Sequence, residues 1–134
     1  MWTREHSIET SASAEALWKL FSNVEGWKAW NAGIERITMS APFAEGSEFL
    51  MQPPGQDALT SRLILVRENE RFDDETVVGD VRVIVAHRIE SLGATRRRVT
   101  YACTVEGPDA ADIGAAVTAD FPEVLAALVQ LAER

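Results

Sequence analysis

His87 and Tyr101 are the residues through which this chain can steer or move a proton. A neutral imidazole offers one donor and one acceptor, and a phenol hydroxyl does both. An imidazole also changes charge close to neutrality. Together they are the minimum equipment for orienting a phenol or carbonyl, or for exchanging a proton with it. Both sit in segments of period two, the mark of a strand. In Val81–Glu90, one face holds Val81, Val83, Val85, His87 and Ile89, against Arg82, Ile84, Ala86, Arg88 and Glu90. In the next segment Val99, Tyr101, Cys103 and Val105 form the apolar face. If both apolar faces turn inward, His87, Tyr101 and Cys103 share one space. Two readings of His87 then stand: a polar group at a pocket wall, or a hydrogen-bonded histidine of the core. A slip of one residue in strand phase would exchange the whole inward set for the outward one.

Other chemistries find less support. Cys103 among β-branched neighbours reads as a small hydrophobe, since a nucleophilic thiol needs an electropositive, part-exposed setting. Two histidines and one cysteine do not supply the three or four ligands of zinc, so no metal is expected. Gly26, Gly33, Gly46 and Gly55 are isolated and form no phosphate-cradling loop, and no serine sits in a nucleophile elbow. No cofactor is expected. Asp73-Asp74-Glu75 lacks the alternating ligands of a calcium loop and is expected to face water. The net charge of −8 and pI near 4.7 argue against a nucleic-acid partner. The one basic run, Arg96-Arg97-Arg98, spreads over both faces of a strand and reads as a solvated edge.

The elements that must position these groups follow from pattern. With 134 residues the chain fits a single domain, 1–134. No apolar run is read as approaching the ~18 residues that span a bilayer, so no stable membrane insertion is expected. Charges in MWTREHSIET stand where a signal peptide needs its apolar stretch. The lone cysteine fits a reducing compartment. The expectation is a cytoplasmic monomer or homodimer. Trp2–Glu9 alternates as a strand. Ser11 or Ser13 can cap the helix in which Ala14, Leu17, Phe21 and Val24 recur at helical spacing. Gly26 breaks it, and Trp27–Asn31 reads as a second short helical turn. Strands are expected over Ile34–Met39, Ser47–Gln52, Thr60–Arg67, Phe72–Val78, Val81–Ser91 and Arg96–Glu106, with a hairpin at Gly79-Asp80. One amphipathic helix, Asp109–Glu133, closes the chain, with Asp109 as its cap. Pro122 inside it predicts a kink.

A sheet with one helix at its end must bury the two against each other. If the sheet curves, a cavity opens between them, a fit for a small apolar molecule. Trp30, Phe49, Met51 and Phe72 are expected among its walls, with His87, Tyr101, Val117 and Phe121. Of the four tryptophans, Trp30 at a helix-to-strand junction is best placed to touch a ligand; Trp18 and Trp27 also fit a role as staples between helix and sheet.

The order and spacing of these pieces resemble the START-like (SRPBCC) helix-grip superfamily, in its polyketide cyclase/dehydrase and lipid-transport branch. The resemblance rests on Ile8-Glu9-Thr10, the Ala14–Phe21 helix, Gly26-Trp27-x-x-Trp30-Asn31, Ala41-Pro42-Phe43-x-x-Gly46, and the His87-Arg88-Ile89-Glu90 strand. Ala94-Thr95-Arg96, Val105-Glu106-Gly107-Pro108 and the last helix complete it over essentially the whole chain. The resemblance implies an α+β fold: a curved antiparallel sheet wrapped around a long C-terminal helix, with two short helices after the first strand. It implies an elongated apolar cavity but no single activity, and it has no common catalytic motif to carry over. The leading expectation is a binder of a small hydrophobic or aromatic molecule. The alternative is a cyclase/dehydratase-like enzyme using His87 and Tyr101 as acid/base and orienting groups; a third class presents the groove to a partner protein.

Overall fold

A computed structural model describes residues Met1–Arg134. Seven strands follow one another as β1 (Trp2–Thr10), β2 (Arg36–Thr38), β3 (Glu48–Gln52), β4 (Leu59–Arg67), β5 (Arg71–Val78), β6 (Val81–Gly93) and β7 (Arg96–Glu106). Between β1 and β2 lie helix α1 (Ala14–Ser22) and a 3-10 turn, Val24–Ala29; helices α2 (Ala110–Thr118) and α3 (Phe121–Ala132) end the chain. The strands form one antiparallel sheet in the order β1-β7-β6-β5-β4-β3-β2, so β1 joins the far edge of a meander and every other neighbour is a hairpin partner. Gly79, at φ 59°, supplies the left-handed residue that the tight β5–β6 turn requires.

Ser13 caps α1, its hydroxyl accepting from the Ala16 amide at 3.1 Å. The second short helix is a 3-10 turn rather than an α-helix, because Gly26 and the Trp27 indole, which donates to the Phe21 carbonyl at 2.9 Å, tighten the chain there. The last helix departs from expectation in two ways. It breaks at Ala119-Asp120, ahead of Pro122, which occupies the first turn of α3, where a missing amide costs nothing. Asp109 adopts a left-handed conformation, φ 59°, and its side chain caps nothing. Taken as one rod, Ala110–Ala132 has a mean hydropathy of 1.4, enough in length and composition to cross a membrane, contrary to the reading from runs. In this fold its buried residues Phe121, Val124, Leu125 and Leu128 complete the core.

The helices do not cover the sheet evenly. α2 packs on β1 and β7, while α3 packs on β1 and α1. Gly114 makes the α2 approach possible, since a Cβ there would sit inside the Trp2 indole. Gly114→Ala should therefore lose about 1–3 kcal/mol in urea melts, although alanine normally favours a helix by about 1 kcal/mol. A net gain would mean that Trp2 swings clear at no cost.

The outer face of the sheet is a lattice of ion pairs. Arg88 donates to Glu5 at 3.0 Å, Arg98 to Glu90 at 2.8 Å and Arg96 to Glu9 at 2.7 Å. Arg96 and Arg98 of the basic run are thus paired with carboxylates, and the hydrogen bond from Arg96, with the charges of both guanidiniums, holds Glu9 below the usual carboxylate range. Exposed pairs of this kind add little stability.

Candidate functional site

Antiparallel register sets the inward face. His87 is opposite Phe72 on one side and Tyr101 on the other, and Tyr101 is opposite His6. The imidazole lies flat on the Phe72 ring, with centroids 3.9 Å apart and planes 7° from parallel. Its Nδ1 is 3.1 Å from the Phe72 carbonyl oxygen, and the Tyr101 ring stands edge-on at 4.6 Å. Burial pushes the His87 pKa down to about 4 against a small opposing pull from that carbonyl, so the ring is neutral at pH 7. Phe121 meets Tyr101 at a right angle, 5.4 Å between centroids. Trp30 lies tilted against Phe21 at 6.3 Å and Trp27 at 6.1 Å between centroids. Four of the residues singled out from sequence, Trp30, Phe72, His87 and Tyr101, thus gather around the fully buried Phe21, and a fifth, Phe121, joins them through Tyr101.

The other three belong to the flanks. Phe49 packs edge-on against Trp27 at 5.3 Å and borders a cleft of about 300 Å³ beside Met39, Leu50 and Thr60. Met51 is half-buried on β3, opposite Ile37. Val117 is half-buried on α2. Sequence reasoning missed Phe43, which meets Phe72 at 5.2 Å and Trp18 at 5.7 Å. It follows Pro42 in a segment without periodicity, so no pattern pointed inward. A second cleft, about 640 Å³, lies on the outer face over Ala86 and Ala102 and is rimmed by Arg71, Asp73 and Arg88.

The acidic triplet corrects the expectation that it faces water. Asp73 is buried on the outer face, held by two bonds from Arg71 at 2.9 Å. Glu75, two residues on, pairs with Arg82. Asp74 between them must point the other way, and it lies inward, opposite Leu63 and Val85. No cation and no hydrogen-bond donor meets its carboxyl. Desolvation first, then the charge of Asp73, push its pKa up to about 7. Period two within Phe72–Val78 was the signal that one of three adjacent acids turns into the fold.

Tyr101 is the second unpaired group: its hydroxyl is buried with no hydrogen-bond partner. Desolvation, with Asp74 and Asp120 adding to it, drives its pKa upward. The Cys103 thiol is pushed up to about 11 and is inert. By contrast the inward hydroxyls of Ser61 and Thr76 satisfy each other at 2.6 Å, and Thr118 donates to the Gly114 carbonyl.

A half-covered strip of the inward face borders these groups. On β7, Tyr101, Cys103 and Val105 are buried beneath the helices. Their cross-strand partners Val85 and Val83 face the same way but are only half-buried, as are Asp74 and Thr76 on β5 and Ile113 and Val117 on α2. The uneven placement of α2 over β1 and β7 leaves this strip of the inward face open, with Asp74 where it meets the aromatic block.

The profile of the family described as polyketide cyclase / dehydrase and lipid transport matches residues 1–133. No curated protein sequence matches the chain. Among solved structures, the di-domain aromatase/cyclase BexL of the BE-7585A biosynthetic pathway superposes with a TM-score of 0.78 at 20% identity, over 99% of this chain. This chain spans 47% of that protein, about half its length. Norcoclaurine synthase from Thalictrum flavum, in complex with dopamine and hydroxybenzaldehyde, gives 0.74 at 16% identity over 97% of this chain and 85% of its own. A START superfamily protein from Mycobacterium smegmatis gives 0.74 at 19% identity over 98% and 97%. At these identities the likeness is one of fold.

Proposed function

Because the chain belongs to the polyketide cyclase / dehydrase and lipid transport family and has its START-like helix-grip fold, we propose that it binds a small hydrophobic or aromatic molecule between the sheet and the C-terminal helices. One observation carries the reading: Val83, Val85 and Val117 face inward yet stay half-exposed, an apolar strip that the protein does not cover for itself. The aromatic block around Phe72 forms the closed end, and Trp30, Phe49, Met51, His87, Tyr101 and Phe121 supply or support the walls. The complex of norcoclaurine synthase with two small aromatic compounds supports an aromatic ligand in this fold.

The environment-sensitive dye ANS should bind the native protein and be displaced by apolar ligands. Val85→Trp should fill the strip and weaken ANS at least about tenfold, about 1.4 kcal/mol, with the urea midpoint preserved. Unchanged ANS affinity in that variant, or no binding by the native protein, overturns the reading. Native mass spectrometry of freshly purified protein gives a second test through a co-purifying small molecule.

The adjacency of His87 and Tyr101, ring centroids 4.6 Å apart, favours a second reading, a cyclase or dehydratase in which the pair exchanges a proton with the ligand. His87→Gln separates the two: turnover lost with binding kept supports the enzyme, and weakened binding without turnover in either protein supports the binder.

A further inference from the structure

Polar groups buried without partners are rare in folded proteins, and each costs about 1–3 kcal/mol. This inward face has one, the Tyr101 hydroxyl, and on the same face two strands away it carries the half-buried Asp74 carboxyl, which no donor meets. Every other acid of β5 is matched by an arginine, and every other inward hydroxyl of β4, β5 and α2 by an acceptor. The Asp74 carboxyl and the Tyr101 hydroxyl alone are left open, and Asp74 is close enough for its charge to act on Tyr101. Asp74 accepts hydrogen bonds. Tyr101 has both a proton to donate and lone pairs to accept with. A single atom that answers both at once must donate to the first and accept from the second, as a hydroxyl oxygen does.

We infer, building on the ligand-binding reading, that Asp74 and Tyr101 form a clamp for the hydroxyl of an aromatic or apolar alcohol or phenol whose body lies along Val83, Val85 and Val117. The surroundings favour a neutral head over an anion. Asp73 and Asp120 add negative charge near Asp74 and Tyr101, His87 is neutral, and the one inward cation of β1, Arg4, stacks on Trp2 and reaches Thr118. The charge of −8 on the whole chain acts in the same direction. Partial burial raises the Asp74 pKa to about 7, so the carboxyl can also lend a proton to the clamp below neutrality.

The test uses three probes with one apolar body: 2-naphthol, naphthalene and 2-naphthoate, titrated into the native protein by fluorescence at pH 8. Naphthol should bind at least about tenfold tighter than naphthalene, about 1.4 kcal/mol, with naphthoate the weakest. Asp74→Leu and Tyr101→Phe should each bring naphthol down to the affinity of naphthalene and leave naphthalene itself unchanged; Asp74→Asn, which keeps an acceptor oxygen, should fall between. If all three probes bind alike, or if both variants leave naphthol untouched, the clamp is overturned while the groove stands. If none binds and ANS does not either, the groove falls with it.

Discussion

Phe72→Ala should lower stability by about 3–5 kcal/mol, measured as the shift in urea unfolding at constant slope. Phe72 is 1% exposed and meets the rings of Trp18, Phe21, Trp27 and Phe43, with the His87 ring flat against it. Truncation removes the transfer energy of a phenyl ring and leaves a void. The surrounding rings come from α1, the 3-10 turn, β6 and the loop before β3, so no single shift can collapse it. The same change strips His87 of its stacked face while leaving the Phe72 carbonyl in place, so the imidazole should gain water and its pKa should move up toward 6.5. An NMR titration of the ring protons reads that movement independently of the melt. A loss below about 1 kcal/mol with an unmoved His87 would mean that the aromatic block is loosely packed and that the closed end of the groove is elsewhere.

How much of this was legible in the chain depends on periodicity. Period two in Val81–Gly93 and Arg96–Glu106 placed His87, Tyr101 and Cys103 on one face, and the register makes His87 and Tyr101 direct partners. The same period in Phe72–Val78 put Asp74 with Phe72 on the inward side, yet three acids in a row suggested solvent. The arginines that neutralise Asp73 and Glu75 come from residues 71 and 82, and the pairing of Glu75 with Arg82 is created only by the β5–β6 register. Segments without period gave no direction, as with Phe43. Pro122 predicted a kink in one long last helix, and the chain instead divides it into two. Proline excludes the helical turn before it, so the interruption falls at Ala119-Asp120. The sideways placement of α2 over β1 and β7, which leaves Val83 and Val85 only half-covered, depends on Gly114 meeting Trp2 across the chain, a contact that no local pattern announces.

Asp74 and His87 should pull stability in opposite directions across the same range of pH. A half-buried acid with its pKa raised from 3.8 to about 7 holds a proton that the unfolded chain releases. Its contribution is present below about pH 4 and is lost as pH rises through about 7. A buried imidazole with its pKa lowered from 6.5 to about 4 stays neutral while the unfolded chain charges. Its contribution is present above about pH 6.5 and is lost as pH falls toward 4. The two slopes oppose each other, so the wild-type curve should be shallow between pH 4 and 7. Asp74→Asn removes one of them. The shift on Asp74 corresponds to at most about 4 kcal/mol, and because the residue is only half-buried solvent screening reduces this to about 2. The variant should therefore be more stable than wild type by about 2 kcal/mol at pH 8, equal to it near pH 4, and should lose stability on acidification with the His87 slope unmasked. Asp120, whose pKa burial also raises, acts with the same sign as Asp74 and leaves a small residual trend. His87→Gln should do the reverse, flattening the acid side whatever the packing cost to its absolute level. Urea melts at pH 4.5, 6 and 8 for the three proteins decide it. Parallel curves for wild type and Asp74→Asn would place the Asp74 carboxyl in water and remove one jaw of the clamp.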